Sequence, residues 1–173
     1  MPTLTEYMEF KRSKLDEMRE TLRNSDSPPA ALRATCKVAG GSGLRPVQVR
    51  QFTLVTDSGP GLAGYDLGPT APEMLLSALA SCIAHTFLIV GADRGVAYDA
   101  LEVEVRGVID FRGVLEVDPE IASMPTNLSY EARIRSAASM DTLEQVRSDV
   151  ERLCPVLQAF LRPLQVQGSV VEV

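Results

Sequence analysis

The residues with chemistry to offer are few. The 173-residue chain carries three cysteines, Cys36, Cys82 and Cys154, and a single histidine, His85. No two cysteines form a CxxC pair, and scattered thiols with one histidine do not make a zinc set. What remains is the thiols themselves, and Cys82 is the first place to look. Cys82 stands in the middle of GPTAPEMLLSALASCIAHTFLIV (68–90), where only His85 can carry charge after Glu73. Cys154 stands in VERLCPVLQAFLRP (150–163), at the last apolar position before Pro155. Either thiol alone is a common small core residue. Cys36 lies on the apolar face of an alternating segment and is read as inert.

The stretch around Cys82 reads as one helix. Thr70 and Glu73 fit a capping box, each side chain taking an amide that the first turn leaves unpaired, and Pro72 sits where a missing N–H is harmless. Ala80, Ser81 and Ala84 flank the thiol with small side chains. A helix apolar on every side must be covered on every side, and one chain of this size cannot easily wrap it. A second copy is the natural cover, so a homodimer is expected. His85, at i+3 from Cys82, is read first as a satisfied core histidine and second as a base or cation beside the thiol.

The other elements follow from periodicity. Residues 4–23 carry a stripe of Leu4, Met8, Leu15, Met18 and Leu22, with Glu9/Arg12, Asp16/Arg19 and Glu20/Arg23 paired on the wet side, which predicts an appended surface helix. NSDSPPA (24–30) is a linker by composition. Residues 1–30 are therefore read as a helical extension and linker, and 31–173 as the main domain. Leu32 to Val38 alternates as a strand, GGSG (40–43) turns, and Leu44 to Asp57 holds a second and third strand. DSGPGLAGYDLGP (57–69) is a glycine-rich connector or lid without the pattern of a phosphate cradle. Leu101 to Arg112 is a predicted strand, Gly113 to Thr126 a loop and Asn127 to Ser136 another strand. A helix is expected to open at Asp141, with Glu144 as its capping partner, and to stop at Pro155; Leu164 to Val173 reads as a closing strand. This order is α+β.

Composition excludes some partners. A formal charge of −6 argues against nucleic acid. MPTLTEYMEF has no basic cluster before an apolar run, so no signal peptide is read there. Ser77, Ser81, Cys82, His85 and Thr86 interrupt the long apolar stretch, and no aromatic belt flanks it, which argues against a membrane span. The expected compartment is cytoplasmic, where paired cysteines are more often redox-active than structural.

Both cysteine motifs resemble those of one family. GPTAPEMLLSALASC is similar to the glycine–proline–x–proline, glutamate, leucine-rich helix and cysteine of the OsmC/Ohr family, the osmotically inducible protein C and organic hydroperoxide resistance proteins. VERLCPVLQAFLRP resembles the helix of that family that ends in Cys-Pro-Val or Cys-Pro-Tyr, and GLRPVQVRQFTLVTD (43–57) resembles its N-terminal strands. The likeness runs from about Leu32 to Val173. It implies an OsmC-like α+β fold with strands around a buried central helix, as an intertwined homodimer with its sites at the interface. It further implies a peroxidatic Cys82 and a resolving Cys154, reduction of organic hydroperoxides in oxidative-stress defence, an external thiol as reductant, and no cofactor or metal. An arginine held by Glu73 would activate Cys82. The family's Gly-Gly-Arg reads Gly40-Gly41-Ser42 here, which leaves Arg45 as first candidate and Arg50 as second. That departure keeps an alternative open: a non-catalytic dimeric module of the same fold that binds an apolar ligand or senses redox state.

Overall fold

Twenty residues of mixed charge open the chain as one helix, α1 (Leu4–Arg23). Thr3 and Glu6 close its first turn: the Thr3 amide and hydroxyl both donate to Glu6 Oε2 (2.6 and 3.0 Å), and the Glu6 amide donates back to Thr3 Oγ1 at 3.2 Å. The computed structural model describes residues 2–26, 28–162 and 164–172. Three antiparallel strands follow in the order β1 (Thr35–Cys36), β2 (Arg45–Val49) and β3 (Phe52–Thr56), with Arg45 opposite Thr56 and Val49 opposite Phe52. Arg50 forms the tight turn between β2 and β3 at φ 52°, its guanidinium 5.1 Å over the Phe52 ring. The long apolar stretch is α2 (Ala71–Arg94), opened by the predicted Thr70–Glu73 box.

After α2 come β4 (Ala100–Val108), a one-turn α3 (Phe111–Val114), β5 (Thr126–Arg135), α4 (Met140–Leu153) and α5 (Pro155–Leu161). β4 and β5 form a two-stranded sheet. The Asp99 amide meets the Arg135 carbonyl at one end and Thr126 meets the Val108 carbonyl at the other, so the strands run antiparallel. Arg133 bridges across them to Glu102 and Glu104 at 3.2 and 3.0 Å.

Five local expectations are corrected. The strand predicted through Arg112 stops at Val108, because Asp110 accepts the Arg112 amide at 3.0 Å and caps α3 instead. Ser139, not Asp141, caps α4 by accepting the Thr142 amide at 3.2 Å, while Glu144 pairs with Arg147 at 2.7 Å. Pro155 ends α4 and also begins α5, since a residue without an N–H is well suited to a first helical position. The closing strand is absent over the described residues 164–172, where Val166 and Val170 are 90% and 100% exposed; Val173 lies outside the described residues. Leu32 to Val38 pairs only over Thr35–Cys36, and both Leu32 and Cys36 face solvent rather than a core.

The chain divides into two compact units. The first holds residues up to Glu17, Leu79–Glu104 and the chain from Glu131 on; the second holds Met18–Ala78 and Val105–Tyr130. Among the described residues the buried apolar side chains all belong to the first unit: Met8 of α1, Leu79, Ile83, Phe87, Val90 and Ala92 of α2, Val96 and Tyr98 after it, and Val146, Val150 and Cys154 of α4 and its end. Gly91 is required there. A Cβ at position 91 would lie 2.5 Å from the Tyr98 hydroxyl and 2.8 Å from Met8 Cε, so only glycine lets those side chains reach the helix.

The expectation that α2 is covered all round is not met within one chain. About 33% of its most apolar window is buried, and Leu75, Ser77, Ala78, Ser81 and His85 are exposed. Among the described residues it is the one helix long and apolar enough to cross a membrane.

Candidate functional site

In the first unit, the sequence folds so as to bring two thiols together. Val146 and Val150 are fully buried on α4, and the same face carries Cys154, also fully buried, to the helix end. There the backbone breaks: Cys154 adopts φ −70° and ψ 111°, serving as C-cap of α4 and N-cap of α5. Its amide donates to the Val150 carbonyl and its carbonyl accepts from the Gln158 amide, each at 2.9 Å. Pro155 has no N–H to give, so Val156 supplies the next amide, which acts on the Cys82 thiol in favour of its ionised form.

Cys82 is half-buried and, like Cys154, free. Burial pushes its thiol above the ordinary range; the Val156 amide pulls it down; the hydrogen-bonded Cys154 thiol pushes it up again; the Thr86 hydroxyl pulls it down. Thr86 Oγ1 also donates to the Cys82 carbonyl at 2.8 Å. One hydroxyl proton cannot serve carbonyl and sulfur together, which leaves the Val156 amide as the dedicated donor to a thiolate.

His85 is not a core histidine. It is exposed, and its Nε2 lies 3.0 Å from Lys11 Nζ of α1. An ammonium only donates, so Nε2 accepts and the proton sits on Nδ1. Partial desolvation of the ring and the charge of Lys11 both hold the histidine below its usual value.

Glu73 and Arg45 lie in the second unit, and each is engaged by its own neighbours. The Thr70 amide and hydroxyl donate to Glu73 Oε2 at 2.7 and 2.8 Å and keep the carboxyl below its ordinary range. Arg45 donates from Nη1 to the Gly43 carbonyl at 2.6 Å and from Nη2 to Ser58 Oγ at 3.2 Å. The carboxylate whose ionisation Arg45 favours is Asp57, a residue that sequence reasoning passed over. Asp57 is fully buried and accepts amides from Ser58, Tyr65 and Leu67 at 2.8, 3.0 and 3.2 Å, folding the glycine-rich connector around itself. Its pKa is lowered, chiefly by the Ser58 amide and then by those of Leu67 and Tyr65, against the opposing effect of burial. The signal was present in the sequence: an Asp-Ser pair leading a glycine-rich run is an Asx-turn pattern. Gly64 is obligatory in that turn, because a Cβ there would sit 1.8 Å from the Ser58 carbonyl oxygen. Lys11, Thr86 and the Val156 amide were also missed.

The structure thus joins Cys82 to Cys154, adds Val156 and Thr86, and leaves Glu73 and Arg45 bonded elsewhere. A profile of OsmC-like proteins matches residues 64–168, well over half of the chain, and the chain belongs to the OsmC-like family. Its α+β fold is that of solved relatives. An OsmC-like protein from Mycoplasma pneumoniae is 17% identical, over 78% of this chain and 89% of that one, with a TM-score of 0.67. An organic hydroperoxide resistance protein from Legionella pneumophila is 12% identical over 78% and 91%, with a TM-score of 0.56. One from Elizabethkingia anophelis is 15% identical over 77% and 89%, with a TM-score of 0.52. No curated protein matches.

Proposed function

We propose that this chain is a thiol-dependent peroxidase that reduces organic hydroperoxides with Cys82 as peroxidatic and Cys154 as resolving residue. The observation that carries the reading is that the Cys154 thiol and the Val156 amide both lie close enough to Cys82 to act on its ionisation, in opposite senses. In the first step the Cys82 thiolate attacks the terminal peroxide oxygen: an S–O bond forms, the O–O bond breaks, and the alkoxide leaves as an alcohol after taking a proton. In the second the Cys154 sulfur attacks Cys82, an S–S bond forms and the sulfenic hydroxyl departs as water. An external thiol then returns both residues to the reduced state by exchange. The apolar surroundings suit an organic rather than a small polar peroxide, and two solved relatives of the same fold are organic hydroperoxide resistance proteins.

The same reading assigns a cytoplasmic homodimer whose second copy covers the exposed faces of α2, with no nucleic acid or membrane partner and no cofactor. It also assigns Glu73 and Arg45 the supporting charge, a role that requires them to share or leave their bonds to Thr70 and Ser58. A second reading, a non-catalytic module that binds an apolar ligand or senses redox state, is favoured by the raised Cys82 thiol and by the engagement of Arg45 with Gly43 and Ser58. Consumption of cumene hydroperoxide with a dithiol reductant separates them. Turnover by the wild type that disappears in Cys82→Ser supports the peroxidase; equal, negligible consumption by both leaves the module.

A further inference from the structure

A reactive thiol pushed up by burial needs a positive charge near it, and the first unit contains one that the family motifs do not include. We infer that Lys11, held on His85, is the fixed cation that favours the Cys82 thiolate, and that both are positioning residues of this site. The inference rests on the reading of Cys82 as the reacting thiol.

Three observations carry it. Lys11 Nζ lies 3.0 Å from His85 Nε2, so the ammonium is tied to α2 rather than left free in solvent. His85 follows Cys82 by three residues on that helix, and positions so spaced are neighbours on one helix surface, with Cβ atoms roughly 5–6 Å apart. Among the described residues Lys11 has no carboxylate partner; its other neighbour is the Tyr7 ring, 5.7 Å to the centroid. A cation that faces a neutral imidazole keeps its field, whereas one paired with a carboxylate loses most of it. Other cations at this end of α2 and on α4 are held by carboxylates: Arg94 and Arg152 share Asp149, Arg152 at 2.7 Å, and Arg147 lies between Glu144 and Glu151. The groups that face the Cys82 sulfur itself, the Cys154 thiol, the Val156 amide and the Thr86 hydroxyl, bring no full charge while Cys154 is a thiol.

The extension α1 thereby acquires a task. It is anchored by Met8, buried against Gly91, and by Thr5 Oγ1, which donates to the Tyr98 carbonyl at 3.4 Å. That anchoring is what sets Lys11 beside His85.

The test reads Cys82 ionisation directly, without peroxide. The full chain is alkylated with iodoacetamide across pH 6 to 10, and modification of Cys82 is followed by peptide mapping. Lys11→Met, which keeps the apolar stem, is expected to move the profile to higher pH and to slow alkylation near neutral pH roughly two- to tenfold, because the thiolate fraction falls when a nearby cation is removed. Lys11→Arg should stay near wild type, and His85→Phe, which loses the acceptor, should behave like Lys11→Met. An unmoved profile in Lys11→Met overturns the inference, as does an equal shift in Lys11→Met and Lys11→Arg, which would mark a packing effect. A wild-type-like His85→Phe removes histidine from the assignment. Absence of hydroperoxide turnover in wild type would overturn the peroxidase reading, while the alkylation profile still decides the part played by Lys11.

Discussion

Tyr98 Oη donates to the carbonyl oxygen of Phe87 at 3.2 Å; both side chains are buried, and the tyrosine lies against Gly91. Burial pushes the phenol up to about 12, so it stays a donor at any working pH. Tyr98→Phe should lower stability by about 1 kcal/mol, the usual net worth of one such bond. Gly91→Ala should cost more, roughly 1–3 kcal/mol, because its Cβ would overlap both the tyrosine and Met8. Urea unfolding checks the order; a neutral Gly91→Ala would show that α1 docks differently.

Oxidation with one equivalent of organic hydroperoxide should give a Cys82–Cys154 disulfide, seen by non-reducing peptide mapping. Cys154→Ser should survive the first turnover and then accumulate sulfinic acid on Cys82 under repeated dosing. Cys36→Ser should change neither result. Oxidised Cys82 that never bridges to Cys154 would rule out the two-cysteine route.

The pH dependence of the first step follows from the raised thiol. Because Cys82 titrates above an ordinary cysteine, whose pKa is about 8.5, its rate of oxidation should still be climbing at that pH rather than levelling off. Stopped-flow rates at constant ionic strength test this, and a plateau below pH 7.5 would mean that nearby charge outweighs burial.

Asp57 gives a prediction of opposite sense. Its folded pKa is lowered, so the unfolded chain takes up the proton first as pH falls. The stability it contributes is complete above the unfolded value of about 3.9 and is lost as pH drops through the lower folded value. Asp57→Asn should therefore be less stable than wild type at pH 7, with the gap closing below pH 4 in acid unfolding followed by circular dichroism. A gap that does not change with pH would show that hydrogen bonding matters there and ionisation does not.

The capping box before α2 separates structure from chemistry. Thr70→Ala should cost about 1 kcal/mol of stability, the ordinary worth of an N-cap. If Glu73 serves only that cap, Glu73→Gln should reduce hydroperoxide turnover no more than Thr70→Ala does. A much larger loss in Glu73→Gln would give the carboxylate the supporting role proposed for it.

What was legible in the sequence was local. The stripe from Leu4 to Leu22 delimits α1, Thr70 and Glu73 mark the start of α2, and alternation finds β4 and β5, because each signal is complete within a few residues. Misreadings arose where two local signals competed. Alternation ran on through Phe111, yet Asp110 offered a cap and the cap prevailed. Pro155 was read as a stop, although the same residue starts a helix. Contacts between distant segments left no local mark: nothing near Lys11 or His85 announces their meeting. Nor does the alternation of 164–172 show whether a neighbouring edge exists for it to pair with.

The double cap at Cys154 has a mechanical consequence. One residue is the only joint between α4 and α5, with a backbone bond to Val150 on one side and to Gln158 on the other. A sulfur drawn toward Cys82 pulls on that joint, and the seven-residue α5 is the lighter arm. If the proposed disulfide forms, α5 should shift with it, and its backbone amides from Gln158 to Arg162 are expected to exchange with solvent at a different pace in the oxidised and reduced protein.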